Sequence, residues 1–188
     1  PVDLEKVEDA LKANSDIKAV AFVHAETSTG VQSDASAICE LARKYGVLSI
    51  VDAVTSLGGT PVLTDEWGAD AVYSGSQKCL SCMPGISPVT ISEKAANVVR
   101  SRNHKVQSWF MDLNLVMGYW SGEGARVYHH TAPINPLYAI HEALVMLEEE
   151  GLEQAWERHA KMHNALRMGI EAMGLSLIVD EAYRLPQL

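Results

Sequence analysis

No apolar run in this 188-residue chain approaches the roughly 20 residues that a membrane-spanning helix needs. The sequence therefore predicts no membrane span, and no secretory n-region and h-region opens it. It also lacks basic excess: 24 Asp and Glu outnumber 15 Lys and Arg, for a net charge of −9. That balance speaks against nucleic acid, which is bound by a basic face, and against an anionic membrane surface as partner. Cysteine is scarce. Cys39, Cys79 and Cys82 are too few and too odd in number for a disulfide framework, which points to a reducing compartment and a cytoplasmic address. There is no G-x-G-x-x-G after a strand, no H-E-x-x-H, and no second C-x-x-C to complete a zinc site. Nor is there an internal repeat or a low-complexity segment. What remains is ordinary globular composition, 47% hydrophobic and 21% charged, enough for one sizeable core or one domain plus part of another. The chain begins at Pro1 without a methionine and stops just after a strand-like run, so it reads as an interior piece of a longer polypeptide, with any organelle address beyond it.

The periodicities that are present alternate between helix and strand. Leu4, Val7 and Leu11 predict a helix over 3–13. Ile17 to His24 is a continuous apolar run suited to a strand buried on both faces, followed by the polar loop 25–30. Asp34 is placed to cap a helix with the stripe Ile38, Leu41, Ala42 and Tyr45, closed by Gly46. Apolar runs at 47–51 and 69–73 predict two more strands, and strand–helix–strand at this spacing signals a βαβ unit with a parallel sheet. Ser87–Ser92 predicts a further strand, near an edge because of Pro88, and 93–102 a helix. The stretch 103–134, with Trp109, Gly118, Trp120, Gly122 and Gly124, supports no long element. Leu137, Ile140, Leu144 and Leu147 predict a helix that Gly151 closes. A long amphipathic helix then carries Leu152, Trp156, His159, His163, Leu166, Ile170 and Met173, before a strand at 175–179. A second domain is expected to begin at 152.

Ligands of open α/β sheets bind outside the carboxyl ends of parallel strands. Three polar clusters fall there: His24–Thr29, Asp52–Ser56 and Ser74–Lys78. Loops are polar anyway, so no single cluster proves a site. Their combination is more telling, because Asp52 ends one strand and Lys78 lies just past the next. A carboxylate can keep a pyridine nitrogen protonated, and a lysine can carry a cofactor as a Schiff base; together they suit pyridoxal phosphate. Gly75, Ser76 and Gln77 supply the small residues and donors that a phosphate-holding turn needs.

Other candidates favour plainer readings. Cys79-x-x-Cys82 reads as two small apolar fillers beside a site lysine. His159 and His163 sit on the apolar stripe of their helix, and these two and His141 read as packing histidines. His129-His130 is disfavoured as a joint metal ligand because adjacent side chains point apart, so no metal is expected. Tyr128 and Thr131 offer hydroxyls with no evident local partner, suited to a phosphate.

The segments His24-Ala25-Glu26-Thr27-Ser28-Thr29-Gly30, Val51 through Gly59, Tyr73-Ser74-Gly75-Ser76-Gln77-Lys78, Tyr128-His129-His130-Thr131 and Arg184-Leu185-Pro186 carry a family resemblance. In that order and spacing, over nearly the whole chain, the sequence resembles the class V, fold-type I pyridoxal-phosphate aminotransferases, most closely the alanine–glyoxylate and serine–glyoxylate (serine–pyruvate) group. The resemblance implies an α/β fold: the three-layer, mostly parallel sheet of a large domain over 1–151, and the start of a smaller α/β domain over 152–188. It implies transfer of an amino group from alanine or serine to glyoxylate or pyruvate, with Lys78 as Schiff-base residue and proton carrier. Asp52 would pair with the ring nitrogen, Val54 pack on the ring, and Thr27 donate to its 3′-oxygen. Gln77, with Ser76, would hold the phosphate. Tyr128 and Thr131 would reach the phosphate of the neighbouring subunit in a homodimer with shared sites. The glycine-containing phosphate loop, the stacking aromatic and the carboxylate-gripping arginine of such enzymes would lie outside this chain, leaving its site incomplete.

Two other enzyme readings and one binding reading compete. A class V lyase of the cysteine desulfurase or kynureninase type is weakened by Gln77, which stands where other class V members have a histidine before the lysine. Another class V aminotransferase would share all the segments above. A nucleotide-binding α/β module without this chemistry would want the absent glycine motif.

Overall fold

The first helix, α1 (Leu4–Ala13), starts where Asp3 accepts hydrogen bonds from the backbone N–H groups of Glu5 and Lys6. The computed structural model describes residues 1–121, 125 and 127–188; Gly122 and Gly124 of the irregular stretch lie outside the described residues. After α1 come β1 (Ala19–Val23) and a two-stranded antiparallel hairpin, β2 (Ala25–Glu26) with β3 (Val31–Gln32). α2 (Ala35–Lys44) is capped by Asp34, which accepts from Ala37 N–H, as the sequence predicts. β4 (Leu48–Asp52), α3 (Thr64–Trp67), β5 (Ala71–Tyr73), β6 (Val89–Ile91), α4 (Glu93–Arg100), α5 (Leu113–Trp120), α6 (Ile134–Glu150) and α7 (Leu152–Ala172) follow.

The main sheet has the order β1-β4-β5-β6. β1, β4 and β5 run parallel, with Val23 beside Asp52 and Asp52 beside Tyr73, while β6 joins β5 antiparallel. This is the mostly parallel α/β sheet that the alternating pattern predicts, with β6 at its edge near Pro88. Phe22, Val51 and Val72 point to one face and form the core with Ile38 and Cys39 of α2 and Trp67 of α3. Neighbouring residues along a strand face opposite ways, so Val23, Asp52 and Tyr73 share the other face.

Asp70 fastens the amino ends of these strands. It is 6% exposed, accepts from Ser49 N–H at 3.0 Å, from Lys94 Nζ at 2.9 Å and from Ser92 Oγ at 2.9 Å, while its own N–H donates to Ser49 Oγ at 2.9 Å. Burial by itself would raise its pKa, but the Lys94, Ser49 and Ser92 donors outweigh it and hold the carboxyl below the ordinary range. A depressed carboxyl contributes stability above its unfolded pKa, and that contribution is lost as pH falls through the lowered folded value. Asp70→Ala leaves the buried Ser49 N–H without a partner and is expected to cost about 2–4 kcal/mol, read from the urea midpoint at neutral pH. The deficit relative to the parent should shrink in acid.

Several expectations change. Residues 175–179 form no strand; a strand needs a partner to satisfy its backbone, and this segment has none among the described residues. The following residues turn back instead. A 3₁₀ turn at Glu181–Tyr183 precedes Leu185 (1% exposed), whose N–H donates to Gly30 O, while Gln187 Nε2 donates to Thr55 O. Two short helices, α3 and α5, were not anticipated; α5 lies inside the stretch that supported no long element and is capped by Asp112, which accepts from Asn114 N–H. The stripe of α7 is covered only in part, since Leu166 and Met173 are exposed while Ala155 is fully buried. His159 and His163 are half-buried, but His141 is exposed and does not pack. Among the described residues, no helix is long and apolar enough to cross a membrane.

Candidate active site

Each parallel strand ends in a turn that the next strand holds. His24 N–H donates to Asp52 O at 3.0 Å, and Ala53 N–H to Tyr73 O at 2.8 Å, so the ladders continue one residue past β1 and β4. Ser74 Oγ donates to Ala53 O at 3.1 Å, tying the loop after β5 to the loop after β4. Gly59 sits where the two loops touch: a Cβ there would meet Cys79 Sγ at 2.5 Å and Gln187 Cβ at 2.9 Å. Only glycine allows that approach.

Asp52 stands at the carboxyl end of β4 with both carboxylate oxygens held. Val54 N–H donates to Oδ1 at 2.9 Å, and the Tyr73 hydroxyl donates to Oδ2 at 2.7 Å. The hydrogen bond to Asp52 is the main reason that the Tyr73 phenol is pushed up to about 12. Beside them, the Thr27 and Thr55 hydroxyls lie 2.7 Å apart, joining the loops after β1 and β4. Thr27 is exposed and Thr55 buried, so the outer hydroxyl is steadied by the inner one.

The loop after β5 is a tight turn. Ser81 N–H donates to Lys78 O at 2.9 Å, and Ser81 adopts φ 56°, in the left-handed region that a serine rarely occupies. Lys78 is exposed, and its side chain makes no hydrogen bond or ion pair among the described residues. Gln77 is exposed as well. Ser76 differs: it is fully buried, its hydroxyl donates to Met83 O at 2.6 Å, and its N–H donates to Ile86 O at 3.0 Å. Both Ser76 donors thus serve the turn, while the Gln77 side chain stays exposed beside it. Cys79 and Cys82 are free thiols; Cys79 Sγ donates to Thr55 O at 3.5 Å, and burial pushes its pKa up.

His24 is 2% exposed, lies edge-on to Trp67 at 4.9 Å, and meets Gln32 Nε2 through its Nε2 at 2.9 Å. Burial lowers its pKa to about 4, so it is a neutral packing histidine at physiological pH.

Tyr128 and Thr131 make no hydrogen bond to the strand-end residues among the described residues, and they do have a local partner: each other, at 2.5 Å. The expected divergence of His129 and His130 also fails. Their Nδ1 atoms lie 2.8 Å apart, because the segment is irregular and not the extended strand that would send neighbours to opposite faces. His129 Nε2 meets Trp109 O at 3.0 Å; a carbonyl only accepts, so that nitrogen carries the hydrogen. Sequence reasoning missed Tyr73 and Thr55. Tyr73 was findable, since two predicted parallel strands ending at Asp52 and Tyr73 put these residues side by side. Thr55 had no distinguishing signal.

The chain matches the family model described as aminotransferase class-V over residues 1–187. It is 40% identical over 185 residues to the alanine–glyoxylate aminotransferase of Oryctolagus cuniculus, covering 97% of this chain and 47% of that protein. Among solved structures, an alanine–glyoxylate aminotransferase from Nostoc sp. superposes with a TM-score of 0.92 at 48% identity, covering 98% of this chain and 48% of that one. A ureidoglycine–glyoxylate aminotransferase from Bacillus subtilis superposes with a TM-score of 0.91 at 42% identity, covering 98% and 47%. The chain spans about half the length of the curated relatives it matches.

Proposed function

The chain belongs to the class-V aminotransferase family, and from that premise we propose that it carries the cofactor-holding centre of a pyridoxal-phosphate aminotransferase. Its reaction is the transfer of an amino group from a small amino acid, alanine or serine, to glyoxylate or pyruvate. The observation that carries this reading is the pairing of a doubly held carboxylate, Asp52 at the carboxyl end of β4, with Lys78, exposed and with its side chain free of partners among the described residues, on the loop after the adjoining parallel strand β5.

The donor set fits the cofactor. It offers one primary amine with no competing ion pair, one carboxylate with acceptor capacity left on each oxygen, and exposed Thr27 and Gln77 on the flanking loops. When bound, pyridoxal phosphate supplies an electrophilic carbon and a protonated ring that spreads the charge left when the substrate's α-proton departs. Lys78 would hold the cofactor covalently and would move the substrate's α-proton. Asp52 keeps the proton on the ring nitrogen, Val54 packs on the ring, Thr27 donates to the 3′-oxygen and Gln77 to the phosphate. Tyr128 and Thr131 present paired hydroxyls to the phosphate of the neighbouring subunit of a homodimer, and their large exposure supports an outward role. Residues 1–151 form part of the large domain and 152–188 begin the small one. Gly151, at φ 87°, supports this boundary as the joint between α6 and α7. The free thiols of Cys39, Cys79 and Cys82 support a reducing compartment, the cytoplasm in the simplest reading.

The test is product stoichiometry. The full-length protein, given alanine and glyoxylate, should form pyruvate and glycine one for one. Side-chain cleavage products without a new amino acid would replace this reading with a lyase.

A further inference from the structure

We propose that Tyr73 is a positioning residue, its hydroxyl holding the Asp52 carboxylate in the orientation that meets the cofactor's ring nitrogen. The proposal rests on the pyridoxal-phosphate reading above and adds to it a residue that touches neither substrate nor reacting atoms.

The juxtaposition is built into the sheet. Asp52 and Tyr73 are register partners on neighbouring parallel strands, so their side chains leave the same face at the same level. The Tyr73 hydroxyl reaches Asp52 Oδ2 at 2.7 Å. A carboxylate only accepts, so Tyr73 is the donor. On the other oxygen, Val54 N–H donates to Oδ1 at 2.9 Å from two residues on. One donor on each oxygen sets the plane of the carboxylate; with the Val54 donor alone, the group can still turn about that single bond. Each oxygen keeps a second acceptor position for a ring N–H.

Nothing else in the structure explains the placement of this hydroxyl. Tyr73 is 39% exposed and is not part of the buried core, and its hydroxyl makes no other hydrogen bond among the described residues. The same hydrogen bond pushes the Tyr73 phenol up to about 12, which keeps it a donor at physiological pH.

The experiment is a double-mutant cycle on cofactor affinity in the full-length protein, read by equilibrium titration of the apo form with pyridoxal phosphate. Tyr73→Phe keeps the ring and removes only the hydroxyl, and it is expected to weaken binding about 3- to 10-fold, the scale of one hydrogen bond to a charged group partly replaced by water. In an Asp52→Asn background the same change should have no further effect, because the orientation it protects no longer matters. An analogue with carbon in place of the ring nitrogen should bind the parent and Tyr73→Phe alike. Unfolding midpoints of parent and Tyr73→Phe that agree to within about 0.5 kcal/mol exclude a folding defect as the cause. An equal penalty in both backgrounds overturns the proposal, since Tyr73 would then act independently of Asp52. Tighter binding by Tyr73→Phe also overturns it, because the hydroxyl would be occupying the ring's place. A parent protein that forms no visible cofactor band overturns the underlying reading, and is recognised without any variant.

Discussion

Lys78→Ala in the full-length protein is expected to abolish nearly all transamination, a loss of at least about 10²–10⁴-fold from the proton-transfer role alone. The loss should fall on chemistry and not on the fold. Lys78 is exposed and its side chain makes no hydrogen bond or ion pair among the described residues, so truncating it disturbs no packing and leaves nothing unsatisfied. The unfolding midpoint should therefore shift by less than about 0.5 kcal/mol. The variant should still take up pyridoxal phosphate, held non-covalently through the remaining contacts. Activity within tenfold of the parent would remove Lys78 from the reaction. A large loss of stability would make its role structural.

Asp52→Asn is expected to slow the half-reaction with alanine by roughly 10² or more, the scale of a preorganised charge that stabilises a transition state. Asparagine keeps the size of the side chain, and its one oxygen can still accept from the Val54 N–H that lies 2.9 Å from Oδ1, its amide then facing the Tyr73 hydroxyl as a donor, but it has no charge to hold a proton on the ring nitrogen. A second readout belongs to Tyr73. Its phenol is pushed up to about 12 chiefly by the hydrogen bond to Asp52, so in Asp52→Asn the tyrosine should ionise at lower pH, towards the ordinary value near 10. Half-reaction rates within a factor of about two of the parent would refute the electrostatic role.

Most of the sheet was legible because period and punctuation agree in its segments. The runs leading to Val23, Val51 and Tyr73 are mostly apolar, and Asp34 with Gly46 brackets the helix between two of them; β1, however, lies at the sheet's edge with Ala19 and Ala21 exposed, so it is not the strand buried on both faces that its run predicts. The strand-end rule then puts Asp52 at the end of one parallel strand and Lys78 just past the next. What the pattern could not show depends on partners. Residues 175–179 have a strand-like composition, yet a strand exists only where another backbone completes its ladder, and these residues instead lead into the turn that docks Leu185. Ser76 looked like a phosphate donor because serine beside glycine is a common anion-binding composition. Only the turn geometry shows its hydroxyl committed to Met83. The approach of His129 to His130 and of Tyr128 to Thr131 arises in irregular backbone, where no periodicity says which side chains face each other.

The account rests on Lys78 being the residue that carries the cofactor. Borohydride reduction of the full-length protein loaded with pyridoxal phosphate, followed by mass mapping of the peptides, tests this directly, because reduction converts the Schiff base into a stable secondary amine on whichever lysine forms it. The account predicts one modified site, Lys78, in the segment Tyr73-Ser74-Gly75-Ser76-Gln77-Lys78. Modification of Lys94, whose ammonium is engaged by Asp70 and the carbonyl of Val47, or of any lysine other than Lys78, would contradict it.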